Sequence, residues 1–181
     1  MADTDNAEIE REVLTWPGFG EGIRELAVQI VDSGWTPDLV VAVARGGLLP
    51  AGALAYAMGL KAIGTMNVEF YTDIAETLPE PVLIPPLMDP SALEGKKVLV
   101  VDDVADSGKT LALVMKMIRE QGVPGIGDQK AINVSEARSA CIYHKSRSII
   151  EPDYVWKKTD KWINFPWSTL PPVVAGAKAD A

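Results

Sequence analysis

Three aspartates, followed by small residues and a lysine, form the densest group of chemically useful side chains in this 181-residue chain. They are Asp102, Asp103 and Asp106, in the stretch LVVDDVADSGKT. The closing SGKT is similar to the end of a P-loop for nucleoside triphosphates, but such a loop needs a glycine five positions before Gly108. Asp103 occupies that position, and its carboxylate would repel phosphate. The sequence therefore indicates another use for the two adjacent acids.

A buried strand must position these aspartates, because the apolar run VLVV precedes them and the helical pattern TLALVMKMIREQG follows. The acids then lie at the carboxyl end of the strand, which is the edge where α/β sheets bind ligands. Two adjacent carboxylates can accept hydrogen bonds from the vicinal hydroxyls of a ribose, and the backbone N–H groups of DSGKT favour an anion. This arrangement predicts a sugar-phosphate site. The alternative is a helix cap by Ser107 or Asp106, which accounts for one acid but not for three.

The other elements alternate in type, which predicts an α/β sheet. Strands are predicted in DLVVAVA (38–44), KAIGTMNVEFY (61–71), KKVLVVDDV (96–104) and ARSACIYHK (137–145), and helices in GIRELAVQIVDSGW (22–35) and LLPAGALAYAMG (48–59). Residues 72–93 contain five prolines and no periodic pattern, so a long loop is predicted there. Residues 123–137 are compatible with a helix, a strand or an insertion.

Composition limits the possible partners. The chain has 17 basic and 25 acidic residues and a net charge of -8, which argues against binding to nucleic acid or to an anionic membrane. The single cysteine, Cys141, cannot form an internal disulfide. The acidic start MADTDNAEIE lacks the pattern of a signal peptide, and no apolar run reaches membrane-spanning length. A cytoplasmic protein is expected.

Taken together, VLVVDDVADSGKTL resembles the phosphoribosyl-pyrophosphate (PRPP) signature of the type I phosphoribosyltransferases. The resemblance implies that Asp102 and Asp103 hold the ribose hydroxyls, with Asp103 also close to Mg²⁺, the expected cofactor. It further implies that Asp106 handles the proton at the N7 side of the base. The implied 5′-phosphate pocket consists of Asp106, Ser107, Gly108, Lys109 and Thr110, although Lys109 could equally be a solvated side chain.

A second stretch, AVARGGLLPA, follows the first core strand and resembles the pyrophosphate loop of this family. Arg45 offers a charged donor fork to a diphosphate, and Gly46 and Gly47 permit close backbone approach. A glycine pair by itself usually marks only a turn, so this interpretation depends on the position of the pair relative to 102–110.

The chain departs from the family pattern at the catalytic loop. The family tends to carry a Ser-Tyr pair that closes on pyrophosphate, whereas EFYTD supplies Tyr71, the expected catalytic tyrosine, and places Phe70 where the serine is expected. No lysine or arginine occurs between Lys61 and Lys96, which disfavours an orotate enzyme. We expect 72–93 to act as a mobile lid over the pyrophosphate.

The third stretch, YHKSRSIIEPDYVWKKTDKWINFPW, resembles the hood of 6-oxopurine enzymes, especially the xanthine-guanine phosphoribosyltransferases. The resemblance implies that Lys145 donates to the purine O6, that Trp162 stacks on the ring, and that the backbone at Ile163 meets the 2-position edge. The alternatives are that the lysine is a surface charge and that the tryptophan belongs to the core.

The implied fold is the α/β type I phosphoribosyltransferase fold, a mainly parallel central sheet flanked by helices with a small C-terminal hood. Its parts are expected to be a flexible acidic N-terminus (1–11), a PRPP-binding core (12–143), a base-binding hood (144–170) and a flexible tail (171–181). The implied function is transfer of the phosphoribosyl group from PRPP to guanine, xanthine or hypoxanthine by a homodimer or homotetramer. The alternatives are another base as acceptor, or a non-catalytic PRPP or nucleotide sensor, although a sensor of PRPP alone needs no hood.

Overall fold

A six-stranded central sheet organises the chain. The computed structural model describes residues 10–69, 72–73, 76–77, 82–84, 93–121 and 133–174. The sheet contains β2 (Leu39–Ala44), β3 (Ile63–Glu69), β6 (Val82–Ile84), β7 (Lys97–Ala105), β8 (Glu136–His144) and β9 (Tyr154–Lys158). Their order is β6-β3-β2-β7-β8-β9, and every neighbouring pair is parallel except β3 with β6. The predicted mainly parallel α/β sheet is confirmed.

Helices cover both faces of this sheet, which is why its central strands are continuously apolar. The helices are α1 (Trp16–Asp32), α2 (Leu48–Met58) and α3 (Lys109–Lys116), and a π-helical turn (Met117–Gln121) continues α3. In β2, Val40 and Ala42 pack with α1 and α2, whereas Val41 and Val43 pack on the opposite face with α3. Because alternate side chains of β2 face opposite sides of the sheet, the strand packs between two hydrophobic cores, and this packing fixes the position of its end.

Helix α1 begins earlier than the sequence predicts. Thr15 caps it, with its Oγ1 accepting a hydrogen bond from the backbone N–H of Gly18 (3.2 Å), and a proline lies in its first turn. The glycines of this turn weaken the periodic pattern, because glycine has low helix propensity. The cap and the proline are the signals that locate the start.

A second, two-stranded sheet forms the hood. It pairs β1 (Arg11–Val13) with β10 (Trp162–Asn164) in parallel, and Arg11 lies opposite Trp162. The hood is therefore built from both ends of the chain, whereas the sequence analysis assigns it to 144–170 and places Arg11 in a flexible terminus. Strand β9, within 144–170, belongs instead to the central sheet.

The segment 72–93 contains short strands that its prolines conceal in the sequence. These are β4 (Thr72–Asp73), which pairs with β5 (Glu76–Thr77), and β6, which pairs antiparallel with β3. Apart from these strands, residues 70–92, which include Phe70 and Tyr71, lie outside the described residues, as do residues 1–9, 122–132 and 175–181, so the predictions made for them stay predictions. Among the described helices, none combines the length and the apolar character that crossing a membrane requires.

Candidate active site

The predicted pyrophosphate loop and the predicted phosphate loop meet at the point in the sheet where the strand order reverses. Strands β2 and β7 are neighbours, and the chain continues from β2 to one side of the sheet and from β7 to the other. Such a switch point opens a crevice at the carboxyl ends of the strands. The loop of Arg45, Gly46 and Gly47 follows β2 there, and Asp102 and Asp103 lie near the end of β7.

The two loops are in direct contact. A Cβ atom added to Gly46 would lie 2.5 Å from the carboxylate oxygens of Asp103, and one added to Gly47 would overlap the backbone carbonyl of Val101. Only glycine fits at these two positions, because any side chain would displace either the acid or the strand. The structure therefore brings the loop of Arg45, Gly46 and Gly47 against Asp103 and β7, which is the relative position on which the pyrophosphate-loop interpretation depends.

Burial gives the acid pair unusual protonation behaviour. Asp102 is buried, and desolvation, followed by the charge of Asp103, raises its pKa well above the ordinary value. Desolvation also raises the pKa of Asp103 to about 6. The backbone N–H of Asp103 donates a hydrogen bond to Oδ1 of Asp102 (2.9 Å). Two desolvated carboxylates side by side favour a ligand that brings hydroxyl donors or a cation.

The phosphate loop lies between β7 and α3. Gly108 is the N-cap of α3, adopts a left-handed backbone with φ +73°, and provides no side-chain cap. Neither Asp106 nor Ser107 is therefore the N-cap residue, although Oγ of Ser107 accepts a long hydrogen bond from the backbone N–H of Lys109 (3.5 Å). The remaining N–H groups of this first turn have no side-chain cap and are available to an anion, which is the arrangement that binds phosphate at helix N-termini. Ser107 and Lys109 are exposed beside them and Thr110 is half-buried.

A second loop, 145–150, supports the phosphate loop. The backbone N–H of Lys145 donates to the carbonyl of Ala105 (3.1 Å), and that of Ile149 donates to the carbonyl of Ser107 (3.0 Å). A Cβ atom on Gly108 would overlap the Ser148 hydroxyl, so the two loops approach as closely as glycine permits. This contact places the side chains of residues 145–150 beside the predicted phosphate loop.

Asp106 is held by two cations from that second loop. Nε of Arg147 donates to Oδ1 of Asp106 (2.6 Å), and Nη2 of Arg147 forms an ion pair with the same oxygen. Nζ of Lys145 lies 3.6 Å from it on a side chain that is almost fully buried. The surface-charge alternative for Lys145 is therefore wrong. Arg147 is absent from the predicted site, and its position two residues after Lys145 is the only local signal for it.

Beside Asp106, a cavity of about 520 Å³ opens under the hood. Nζ of Lys145 lies 6.0 Å from the centre of the Trp162 ring, which is 60% exposed and so is not a core residue. Ile163, next to it, is buried. The cavity is lined by Arg11, Val104, Asp106, Lys145, Trp162, Ile163, Asn164, Phe165, Ser168 and Thr169. The structure thus groups the three predicted base-binding residues with Asp106, and adds Arg11 and Asn164.

The donor set limits how a divalent cation can bind. Among the described residues, no cluster of three or more His, Cys, Asp or Glu side chains could hold a metal ion by itself. The desolvated pair of Asp102 and Asp103 supplies hard oxygen ligands whose charge a cation would neutralise. These residues fit a magnesium ion that takes its other ligands from substrate and water.

Known proteins share this fold and part of this sequence. Residues 10–171 match the family model described as the phosphoribosyl transferase domain. A xanthine-guanine phosphoribosyltransferase of Gluconobacter oxydans (strain 621H) is 29% identical over 160 residues, which cover 87% of this chain and 84% of that protein. The purine phosphoribosyltransferase from Pyrococcus horikoshii Ot3 is 34% identical, with a TM-score of 0.71 over 91% of this chain and 98% of its own.

A xanthine-guanine-hypoxanthine phosphoribosyltransferase of Helicobacter pylori shares the fold, with a TM-score of 0.68 and 23% identity over 87% of this chain and 94% of its own. The family match spans nearly the whole described chain, from β1 in the hood to the segment after β10. The resemblance inferred from the sequence is confirmed: the chain belongs to the type I phosphoribosyltransferase family and is a PRPP-dependent glycosyltransferase.

Proposed function

We propose that this enzyme transfers the 5-phosphoribosyl group from PRPP to a 6-oxopurine, producing a purine nucleoside monophosphate and pyrophosphate. The observation that carries the proposal is the cavity in which Lys145, Trp162 and Asp106 lie together beside the PRPP loops. A buried lysine at one end of an aromatic surface suits a base that presents a carbonyl oxygen. A protein that senses PRPP alone has no use for this cavity.

PRPP binding is assigned to three groups at the β2 and β7 strand ends. Asp102 and Asp103 accept hydrogen bonds from the ribose hydroxyls. Backbone N–H groups at 107–110 hold the 5′-phosphate, since the N-cap residue of α3, Gly108, offers no side-chain cap. Arg45, which has an exposed side chain beside Gly46, contacts the pyrophosphate.

Base binding is assigned to the hood and the 145–150 loop. Lys145 donates to O6, and Trp162 stacks on the ring. The three contacts that Arg147 and Lys145 make with Asp106 all reach Oδ1, which leaves Oδ2 to receive the proton from the N7 side of the base. The adjacency of Lys145 and Asp106 matches the adjacency of O6 and N7 on the purine.

The chemical step needs positioning more than a nucleophile on the protein. The bond from C1′ to the pyrophosphate oxygen breaks, positive charge develops on the ribose ring, and N9 of the base forms the new bond to C1′. The protein holds both reactants in line, and Asp106 accepts the proton that the base loses, a role typically worth ~10²- to 10⁴-fold in rate. When bound, Mg²⁺ would neutralise charge on the leaving pyrophosphate, with Asp103 as its expected protein ligand.

The proposal includes the enzyme's setting. Its partners are PRPP and the purine base, and neither nucleic acid nor a membrane is needed. We expect a cytoplasmic homodimer or homotetramer. Light scattering on the purified protein measures the assembly directly.

The test is PRPP-dependent pyrophosphate release over a panel of bases. Guanine, xanthine and hypoxanthine should support release, and adenine, orotate and uracil should not. Release with orotate or uracil but with no 6-oxopurine would contradict the proposed function while leaving the family assignment intact.

Two sets of variants separate the assigned roles. Asp106→Asn should lower turnover with little effect on PRPP affinity, whereas the double variant Asp102→Ala, Asp103→Ala should weaken PRPP binding itself. Calorimetric titration with PRPP and Mg²⁺ distinguishes the two. Equal losses of PRPP affinity in both would refute this division of roles.

A further inference from the structure

We propose that Arg11, together with Asn164, recognises the 2-position of the base and makes xanthine the preferred 6-oxopurine. This inference rests on the proposed function and specifies its substrate. Neither residue carries a motif in the sequence, and they meet only because β1 pairs with β10.

The orientation of the base follows from the two groups at the other end of the cavity. Lys145 and Asp106 are adjacent, with Nζ 3.6 Å from Oδ1, and this adjacency suits O6 and N7, which are neighbours on one edge of a 6-oxopurine. With O6 and N7 directed to this pair, N1, C2 and N3 lie at the opposite end of the six-membered ring. The remaining polar side chains of the lining include those of Arg11 and Asn164.

The geometry of the small sheet places these two side chains beside the stacking residue. Side chains alternate between the faces of a strand, so Trp162 and Asn164 share one face, and Arg11 shares it because it lies opposite Trp162. Ile163, on the other face, is buried in the core. The polar pair therefore flanks the ring that is assigned to stacking.

The pair offers hydrogen-bond donors to the cavity. Nη1 of Arg11 donates to Oδ1 of Asn164 (3.1 Å), which uses the acceptor of the amide and leaves its Nδ2 hydrogens. The other N–H groups of the guanidinium are donors as well. Among the described residues, no carboxylate forms an ion pair with Arg11, whereas Asp106 is already paired with Lys145 and Arg147.

Because the donors of Arg11 and Asn164 have no carboxylate partner in the described part of the chain, they match a base that carries an oxygen at C2. Xanthine carries a carbonyl there and, when it ionises, places negative charge on the same edge. Guanine carries an amino group, which sets donor against donor, and hypoxanthine carries only hydrogen. A site built for one hydrogen-bond pattern discriminates against the other because its polar groups are left unpaired.

The experiment measures kcat/KM for xanthine, guanine and hypoxanthine with saturating PRPP and Mg²⁺. The ratio of kcat/KM for xanthine to kcat/KM for guanine should be about 10 or more in the natural protein. Arg11→Met should reduce this ratio about tenfold by lowering kcat/KM for xanthine. Arg11→Lys should retain part of the preference. Asn164→Asp, which replaces the amide donor by an acceptor, should shift the ratio toward guanine.

Lys161→Met is the matched control. Lys161 is an exposed cation one position before Trp162, it is paired with Glu10 (2.9 Å), and it does not line the cavity, so its removal should leave the ratio unchanged. A preference for guanine in the natural protein, or equal ratios in the Arg11→Met and Lys161→Met variants, would overturn the inference while the proposed function stands. Absence of turnover with every 6-oxopurine would overturn both.

Discussion

Replacing Asp103 with asparagine should stabilise the ligand-free enzyme at neutral pH and remove its affinity for PRPP. The carboxyl group is desolvated in the crevice between β2 and β7, and its pKa rises from an ordinary value of 3.8 to about 6. Between those two values the folded protein holds a proton that the unfolded chain has lost. The free energy of unfolding therefore falls as pH rises through this window, and the penalty is complete above about pH 6.

The size of the penalty follows from the pKa change. Each pKa unit corresponds to about 1.4 kcal/mol, so ionised Asp103 costs the fold about 3 kcal/mol. Because an amide also loses hydration on burial, we expect Asp103→Asn to raise the free energy of unfolding by only about 1 to 3 kcal/mol. Each kcal/mol corresponds to about 2 to 4 °C in melting temperature. Removing this charge also lowers the pKa of Asp102, because the charge of Asp103 helps to raise it.

Urea unfolding followed by circular dichroism at pH ~7.5 and pH ~4.5 tests this reasoning. The gain of Asp103→Asn should be large at the higher pH and should shrink at the lower one, where the natural side chain is protonated. Glu21→Gln, which removes an exposed carboxylate of α1, is the control for net charge and should show no such change. If Asp103→Asn raises the free energy of unfolding equally at both pH values, or lowers it at pH ~7.5, the destabilisation does not come from the buried charge of Asp103.

Three further predictions concern the loops and the base. Gly47→Ala should destabilise the protein by about 1 to 3 kcal/mol, since the added Cβ would overlap backbone atoms. Gly52→Ala is the control, because its Cβ would meet nothing within 4 Å, and thermal unfolding of both variants compares them. Arg147→Gln should lower kcat about tenfold with little change in the KM for PRPP, because Asp106 loses its closest partner, and Arg147→Lys should restore part of it in steady-state assays. Adenine should have a kcat/KM at least ~100-fold below that of the best 6-oxopurine, and Lys145→Met should narrow that gap; equal use of both bases would contradict the assigned donor.

Much of the fold and the PRPP side of the site could be predicted from the sequence, because those features are local. An apolar run that ends in two acids and continues into a glycine and a helix specifies a strand, its carboxyl end and an anion site within a dozen residues. The end of β2 gave the same kind of signal through Arg45 and its two glycines. The prolines of 72–93 had the opposite effect, since they concealed β6 at the edge of the sheet.

The base side of the site was only partly predictable. Lys145, Trp162 and Ile163 came from a resemblance, and nothing in their spacing indicated that Lys145 is buried. No motif in the sequence assigned a role to Arg147, and its pairing with Asp106, 41 positions earlier, depends on how loop 145–150 packs against the phosphate loop.

By itself, the sequence determined the alternating elements, the place of the acid pair at a strand end and the position of the proposed anion site at the start of α3, since each depends on residues within one or two turns of chain. Only the tertiary structure decided which distant residues share the base cavity. Arg11 and Asn164 are 153 positions apart, and they meet because one strand from each end of the chain closes the hood. Burial, too, is a property of the packed molecule, and it is desolvation in the crevice that raises the pKa of Asp103 to about 6.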